Sequence, residues 1–326
     1  MINVVDIDVE RAHETLFEQN SAVRPAELIR DEVLSARYDA DIWLASEVDQ
    51  VTGAYKFRGA FNWFSNNVNS DVHEVVAFSA GNHAAAVAAC ARLFGVKARI
   101  FMPEQTPQFK VDLVQRYGGN STQVELVGET VDDSALVGEL YMQQAGPSSV
   151  FIHPFDDPDV VSGQGTLGRQ ILDELPELNT LVVPVGGGGL ASGLINATKD
   201  SSVEYVLSEP RGAASLAYGL SNPNASLATI DTFVDGAAVK KVGGIVLSTI
   251  GDVQDRVKVV APSNEELCRQ VTRMWSSSHL PNGELAGGLA AASLETVKTQ
   301  LVGKTIVYIV SGGNLSNERF EQEVKV

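Results

Sequence analysis

The sequence predicts an α/β protein of two open lobes with parallel sheets. Short β-branched runs alternate with helical stretches from Glu74 onward, the pattern of βαβ units. Several of these runs end in Gly- or Ser-rich turns that open a helix. At 326 residues the chain can bury a full core and is long enough for two domains.

In order, the strand candidates of the first block are 74–78, 98–102, 123–127 and 149–153. Helical composition fills 83–94, 107–117 and 132–145, with Gly95, Gly118 and Gly146 where C-caps are wanted. A helix follows at 163–175, then a buried strand at 181–185, a glycine run, and a helix at 190–198. Further strands are expected at 205–208 and 305–310, and further helices at 265–275 and 285–300.

A net charge of −17 argues against affinity for nucleic acid or acidic membranes, which require clustered Lys and Arg. An anionic ligand must therefore be held by local groups. Cys90 and Cys268 form no C-x-x-C pair and are too few for a disulfide framework, which suits a reducing compartment. The first residues lack a basic region followed by an apolar run, and no stretch is apolar enough to span a bilayer. A soluble cytoplasmic protein is expected.

Four motifs carry chemistry. Val51-Thr-Gly-Ala-Tyr-Lys-Phe-Arg-Gly-Ala60 sets Lys56 in a small-residue turn ahead of a helical run. A lysine becomes reactive when burial or a cationic neighbour discourages its ammonium, and Arg58 stands two positions on. Ser79-Ala-Gly-Asn-His83 follows a strand and opens a helix, so its backbone amides stand where an anion is favoured. Gly186, Gly187, Gly188 and Gly189 do the same after an apolar strand, bare enough for close approach of a phosphate. Ser311-Gly-Gly-Asn314 ends the 305–310 strand, at the edge where open α/β sheets place ligands. Gly186-x-Gly188-x-x-Ala191 also fits a loose dinucleotide fingerprint, with Glu209 about 20 residues on. A nicotinamide-nucleotide protein is thus the alternative of a different class, but it leaves Lys56 and Asn82 without tasks.

Together, in order and spacing, these motifs resemble the pyridoxal-phosphate (PLP) enzymes of the threonine dehydratase and serine racemase family, from about Leu44 to the C-terminus. The resemblance implies a fold type II PLP enzyme, tryptophan synthase β-like. Residues 1–73 and 149–326 would form a large cofactor-binding domain, with 74–148 as the small substrate-side domain. It implies that Lys56 forms the imine with the cofactor and serves as catalytic base. Asn82 would bond the cofactor's 3′-oxygen, and Ser311 its pyridine nitrogen. Gly186, Gly187, Gly188, Gly189 and Leu190 would hold its phosphate. Ser79, Ala80, Gly81, Asn82 and His83 would bind the substrate carboxylate, with His83 packing or capping rather than transferring protons. Glu209, the Ala213 carbonyl and Ser215 are similar to a divalent-cation site of some members, although Ser215 replaces their Asp. Glu284 matches an acid near the cofactor ring. The chain departs from the family at Ala54, commonly Ser, and at Arg24-Pro25-Ala26, usually Thr-Pro-Leu.

The expected activity is α,β-elimination of ammonia from L-threonine or L-serine, giving a 2-oxo acid. A hydroxyl at Ser311 leaves the pyridine largely neutral, which suits elimination. Serine racemases carry a serine where this chain has Ala80, which argues against a racemase. A β-replacement enzyme on the same fold is the other alternative. The expected partner is a small amino-acid substrate, and the expected assembly is a homodimer or higher homo-oligomer.

Overall fold

The computed structural model describes residues 6–20 and 22–324. The chain opens with α1 (Val9–His13), continued by a π-helical stretch, then β1 (Glu27–Arg30), α2 (Glu32–Tyr38), β2 (Asp41–Ser46) and α3 (Lys56–Asn67). Next come β3 (Glu74–Phe78), α4 (Asn82–Phe94), β4 (Lys97–Met102), α5 (Gln108–Gly118), β5 (Thr122–Leu126), α6 (Val131–Gln144) and β6 (Ser149–Phe151). After them run α7 (Pro158–Glu174), β7 (Thr180–Pro184), α8 (Gly189–Thr198), β8 (Glu204–Ser208), α9 (Ser215–Ser221), α10 (Gly244–Gly251) and β9 (Val257–Val260). The last elements are α11 (Asn264–Ser276), α12 (Leu285–Val297), β10 (Thr305–Val310) and α13 (Asn317–Glu323).

Two sheets result. The smaller has the order β5-β4-β3-β6 and is parallel throughout. The larger has the order β1-β2-β10-β7-β8-β9 and is parallel except for the edge strand β1, which pairs antiparallel with β2. Its central strands β7 and β10 are apolar runs buried on both faces, as a parallel sheet covered by helices requires. One face packs under α8 through Leu181, Val183, Val307 and Leu194. The other packs under α12 through Val182, Ile306, Tyr308 and Leu294.

Three expectations need correction. The domain boundary placed between 148 and 149 cuts the smaller sheet, because β6 pairs with β3 from Ser149 to Phe151. Those residues belong with the strands before them. The outer ends of the large domain, residues 1–5 and 325–326, lie outside the described residues. Gly118 is the last residue of α5 rather than its cap; the cap is Gly119, with a positive φ of 54° but a ψ of −138° outside the left-handed helical region. Gly95 caps α4 as expected, at φ 71°. The helix expected from 163 starts earlier, at Pro158, because Asp157 caps it by accepting from Asp159 and Val160 amides.

Candidate active site

A cavity of about 270 Å³ opens between the sheets at the C-terminal ends of their strands. Three turns from the large sheet and two from the small one converge on it. Lys56 is the first residue of α3. The turn before it is tied to the end of β10, where the Tyr55 amide donates to the Ser311 carbonyl at 3.0 Å. Farther along α3, Arg58 makes a fully buried, two-pronged ion pair with Glu47, at 2.9 and 2.7 Å, and donates to Thr166 at 3.1 Å. This pair pins α3 to the β2–α3 connection and to α7. Losing one partner of such a pair costs roughly 3–5 kcal/mol, because it leaves an uncompensated charge in the interior.

Lys56 Nζ donates to the Pro154 carbonyl at 2.7 Å. Burial lowers its pKa to about 8, against a smaller opposing pull from Glu284. The electropositive-neighbour reading of Arg58 is thereby corrected. Its charge is spent on Glu47, and desolvation is what disfavours the ammonium of Lys56.

Opposite the lysine, α4 begins at Asn82, and Ser79 Oγ accepts from the Gly81 amide at 3.3 Å. Asn82 is held from two sides: its Nδ2 donates to Glu284 Oε1 at 2.8 Å, and its Oδ1 accepts from Asn314 Nδ2 at 2.8 Å. Asn314 Nδ2 also reaches the Thr52 carbonyl, so this one amide links the small sheet to the lysine turn. Burial, with Asp235 next, raises the Glu284 carboxyl to about 7. His83 is buried with Nε2 3.4 Å from the Ile152 carbonyl, and desolvation lowers its pKa well below the ordinary value. Its position is that of a packed, neutral ring.

The glycine turn runs from β7 into α8. Gly188 sits at φ 96°, where L side chains are strained, and a Cβ there would lie 2.5 Å from Val246. A Cβ on Gly187 would meet the Phe155 ring at 2.3 Å. The turn is therefore confined from behind. The amides of Gly186, Gly187, Gly188 and Gly189 have no acceptor among the described residues. Four unpaired N–H groups at a helix N-terminus make an anion cradle that suits a phosphate.

The cavity brings together Lys56, Ser79, Ala80, Gly81, Asn82, His83, Gly186, Gly187, Gly188, Glu284 and Ser311. Gly189 and Leu190 do not line it; they begin α8 just behind. Glu209, Ala213 and Ser215 are elsewhere. Both Glu209 carboxylate oxygens accept from backbone amides of α9, Leu216 at 2.7 Å and Ala217 at 3.0 Å, so this acid caps a helix. Among the described residues no group of three or more His, Cys, Asp or Glu is placed to hold a metal. The sequence reading missed Tyr55, Pro154 and Phe155, and the facing side chains Phe109, Lys110 and Leu113. Pro154 and Phe155 follow a strand at the same edge as the other turns, a signal that was available. The α5 residues are ordinary helix residues until the lobes are set face to face.

Residues 20–312 match the model of a family described as pyridoxal-phosphate dependent enzyme. The chain is 39% identical over 308 residues to the biosynthetic L-threonine dehydratase of Bacillus subtilis, covering 90% of this chain and 70% of that one. The processed form of threonine deaminase isoform 2 from Solanum lycopersicum superposes with a TM-score of 0.86 at 29% identity, covering 97% of this chain and 87% of that one. Maize serine racemase superposes with a TM-score of 0.85 at 28% identity, over 97% of this chain and 96% of that one.

Proposed function

Because the chain belongs to the family of pyridoxal-phosphate dependent enzymes, we propose that it is a threonine/serine ammonia-lyase, turning L-threonine or L-serine into a 2-oxo acid and ammonia by α,β-elimination. The observation that carries this reading is the half-buried amine of Lys56, its ammonium disfavoured by desolvation, in a cavity walled by unpaired glycine amides and the N-terminus of α4. The relative from Bacillus subtilis, a threonine dehydratase, supports the choice of substrate.

When bound, pyridoxal phosphate supplies the aldehyde that takes up an amino group and the ring that makes the adjacent Cα–H acidic. The chain supplies the rest. Gly186, Gly187, Gly188 and Gly189 would hold the phosphate with backbone N–H groups, which offset its charge in a chain of net −17. Lys56 would anchor the cofactor, and its Nζ, once freed, would take the Cα proton; a pKa near 8 leaves a useful fraction of free amine at neutral pH. The loop from Ser79 to His83 would hold the substrate carboxylate at the start of α4. Asn82, gripped by Glu284 and Asn314, would hold the cofactor's phenolic oxygen in fixed geometry. Ser311, 3% exposed, would meet the ring nitrogen with a neutral hydroxyl. With no carboxylate there to stabilise a ring cation, charge is better carried off with the β-hydroxyl, and elimination follows.

Among the described residues no helix is long and apolar enough to cross a membrane. The apolar Leu136, Val137 and Leu140 exposed on α6 support a homodimer or higher homo-oligomer, which sedimentation of the purified protein measures. The activity test is formation of 2-oxo acid from L-threonine and L-serine by the purified, PLP-loaded protein. No 2-oxo acid from either substrate would refute the assignment.

A further inference from the structure

A second cavity, of about 260 Å³, lies at the N-terminal ends of β7, β8 and β9, the edge opposite the active site. The register sets its wall on one face. Thr180 stands opposite Glu204 and Ile306, and Lys258 opposite Val206. Side chains alternate along a strand, so Thr180 shares the face of Val182, and Glu204 that of Val206. Val182, Val206 and Ile306 belong to the core under α12. Thr180, Glu204 and Lys258 therefore point toward the end of that helix, where Val297 and Leu301 close the cavity.

Three observations mark it as built for a ligand. Thr180 is 3% exposed, yet its Oγ1 has no hydrogen-bond partner. An unpaired buried hydroxyl is costly, and valine would fill the same strand position without that cost. Lys258, exposed at the rim, has no side-chain partner among the described residues, while Lys304 is paired with Glu204 at 2.5 Å and Arg256 donates only to backbone carbonyls. Three cations thus face two carboxylates, Glu204 and Asp255, a local positive excess in a chain of net −17.

We propose that this cavity binds a small aliphatic carboxylate. Lys258 would meet the anion, the Thr180 hydroxyl would donate to it, and Val206, Val297 and Leu301 would cover the carbon chain. Phosphate fits poorly. Helix α12 ends here and offers carbonyls rather than amides, and together with Glu204 and Asp255 it repels a dianion more strongly than a singly charged carboxylate.

The test is a methyl-resolved NMR titration of the PLP-loaded enzyme with butanoate, with inorganic phosphate and n-butylamine as parallel probes. Butanoate is expected to shift the methyl signals of Thr180, Val297 and Leu301 saturably. These signals report on this edge alone, so carboxylate binding in the active site does not imitate the result. Lys258→Ala should raise the half-saturating concentration about tenfold, as expected for a lost charged contact. Thr180→Val should weaken binding and raise Tm, while both variants keep wild-type turnover. The proposal is overturned by absence of a saturable shift, by a shift that survives both substitutions, by an equal response to phosphate or n-butylamine, or by a fall in Tm for Thr180→Val.

Discussion

Lys56 is half-buried with one carbonyl partner, and its replacement tests the assignment most directly. Lys56→Ala should lower 2-oxo acid formation by at least roughly 10²-fold, the usual contribution of a positioned base; a purified variant that keeps substantial turnover would refute it. Ala80 lines the same cavity and has no proton to give. Inverting Cα needs one group to take the proton from one face and another to deliver a proton to the other, so wild type should eliminate with little racemisation, and Ala80→Ser should add detectable D-serine from L-serine, read by chiral chromatography. Glu284 carries a pH signature. Its folded pKa of about 7 lies above the ordinary 4.5, so the folded state binds the extra proton between those values. Stability from this group is full below about 4.5 and is lost as pH rises through about 7. Thermal melts of the apo-protein from pH 5 to 8 should therefore show a decline that Glu284→Gln flattens. At this scale the cavity-lining residues legible in the sequence are those that sit in contiguous motifs at strand ends. It could not reveal Phe109 or Lys110, whose part in the site comes from a helix facing the large sheet across the cleft.

Among the elements, the glycine turn before α8 has little freedom. At Gly188 a side chain would meet both a left-handed φ and the body of Val246. Gly188→Ala should cost roughly 1–3 kcal/mol through strain and loosen cofactor retention, measured by Tm and by PLP released on dialysis. Unchanged values for both would show that the turn has room to relax. Most strands and helices of the small lobe were legible to within a residue or two, because a two-sided apolar run such as Val75–Ala77 in β3 permits few other readings. The short strands β1 and β9 were not read from the sequence. Each is four residues long, at a sheet edge and mixed in burial, so its strand character comes from pairing with β2 or β8 rather than from its own pattern. Arg58 misled for a related reason, since proximity in sequence to Lys56 says nothing of Glu47 claiming its charge.

Across the whole molecule, charges bridge the lobes at the cavity mouth, in addition to the apolar core that joins α3 to α4. Lys110 of α5 pairs with Asp235 across the cleft and Asp132 of α6 with Lys240 at 2.6 Å, while Arg319 of α13 pairs with Asp235 from within the large lobe. These pairs are partly exposed, so each is worth little alone. Asp235→Asn breaks two at once and should raise KM for threonine roughly two- to tenfold with a smaller effect on kcat, and added salt should raise the wild-type KM in the same direction. A KM insensitive to both would show that the lobes are held by other contacts. The order of strands in the large sheet has a different consequence, one of timing. The small sheet is complete once residue 151 has been made. In the large one, β10 lies between β2 and β7, so residues 41–46 have no parallel neighbour until residues 305–310 emerge. During synthesis the first strands must wait, unpaired on that side, for nearly the last, and for most of that interval the nascent chain carries a finished small lobe and an open sheet edge that a chaperone could cover.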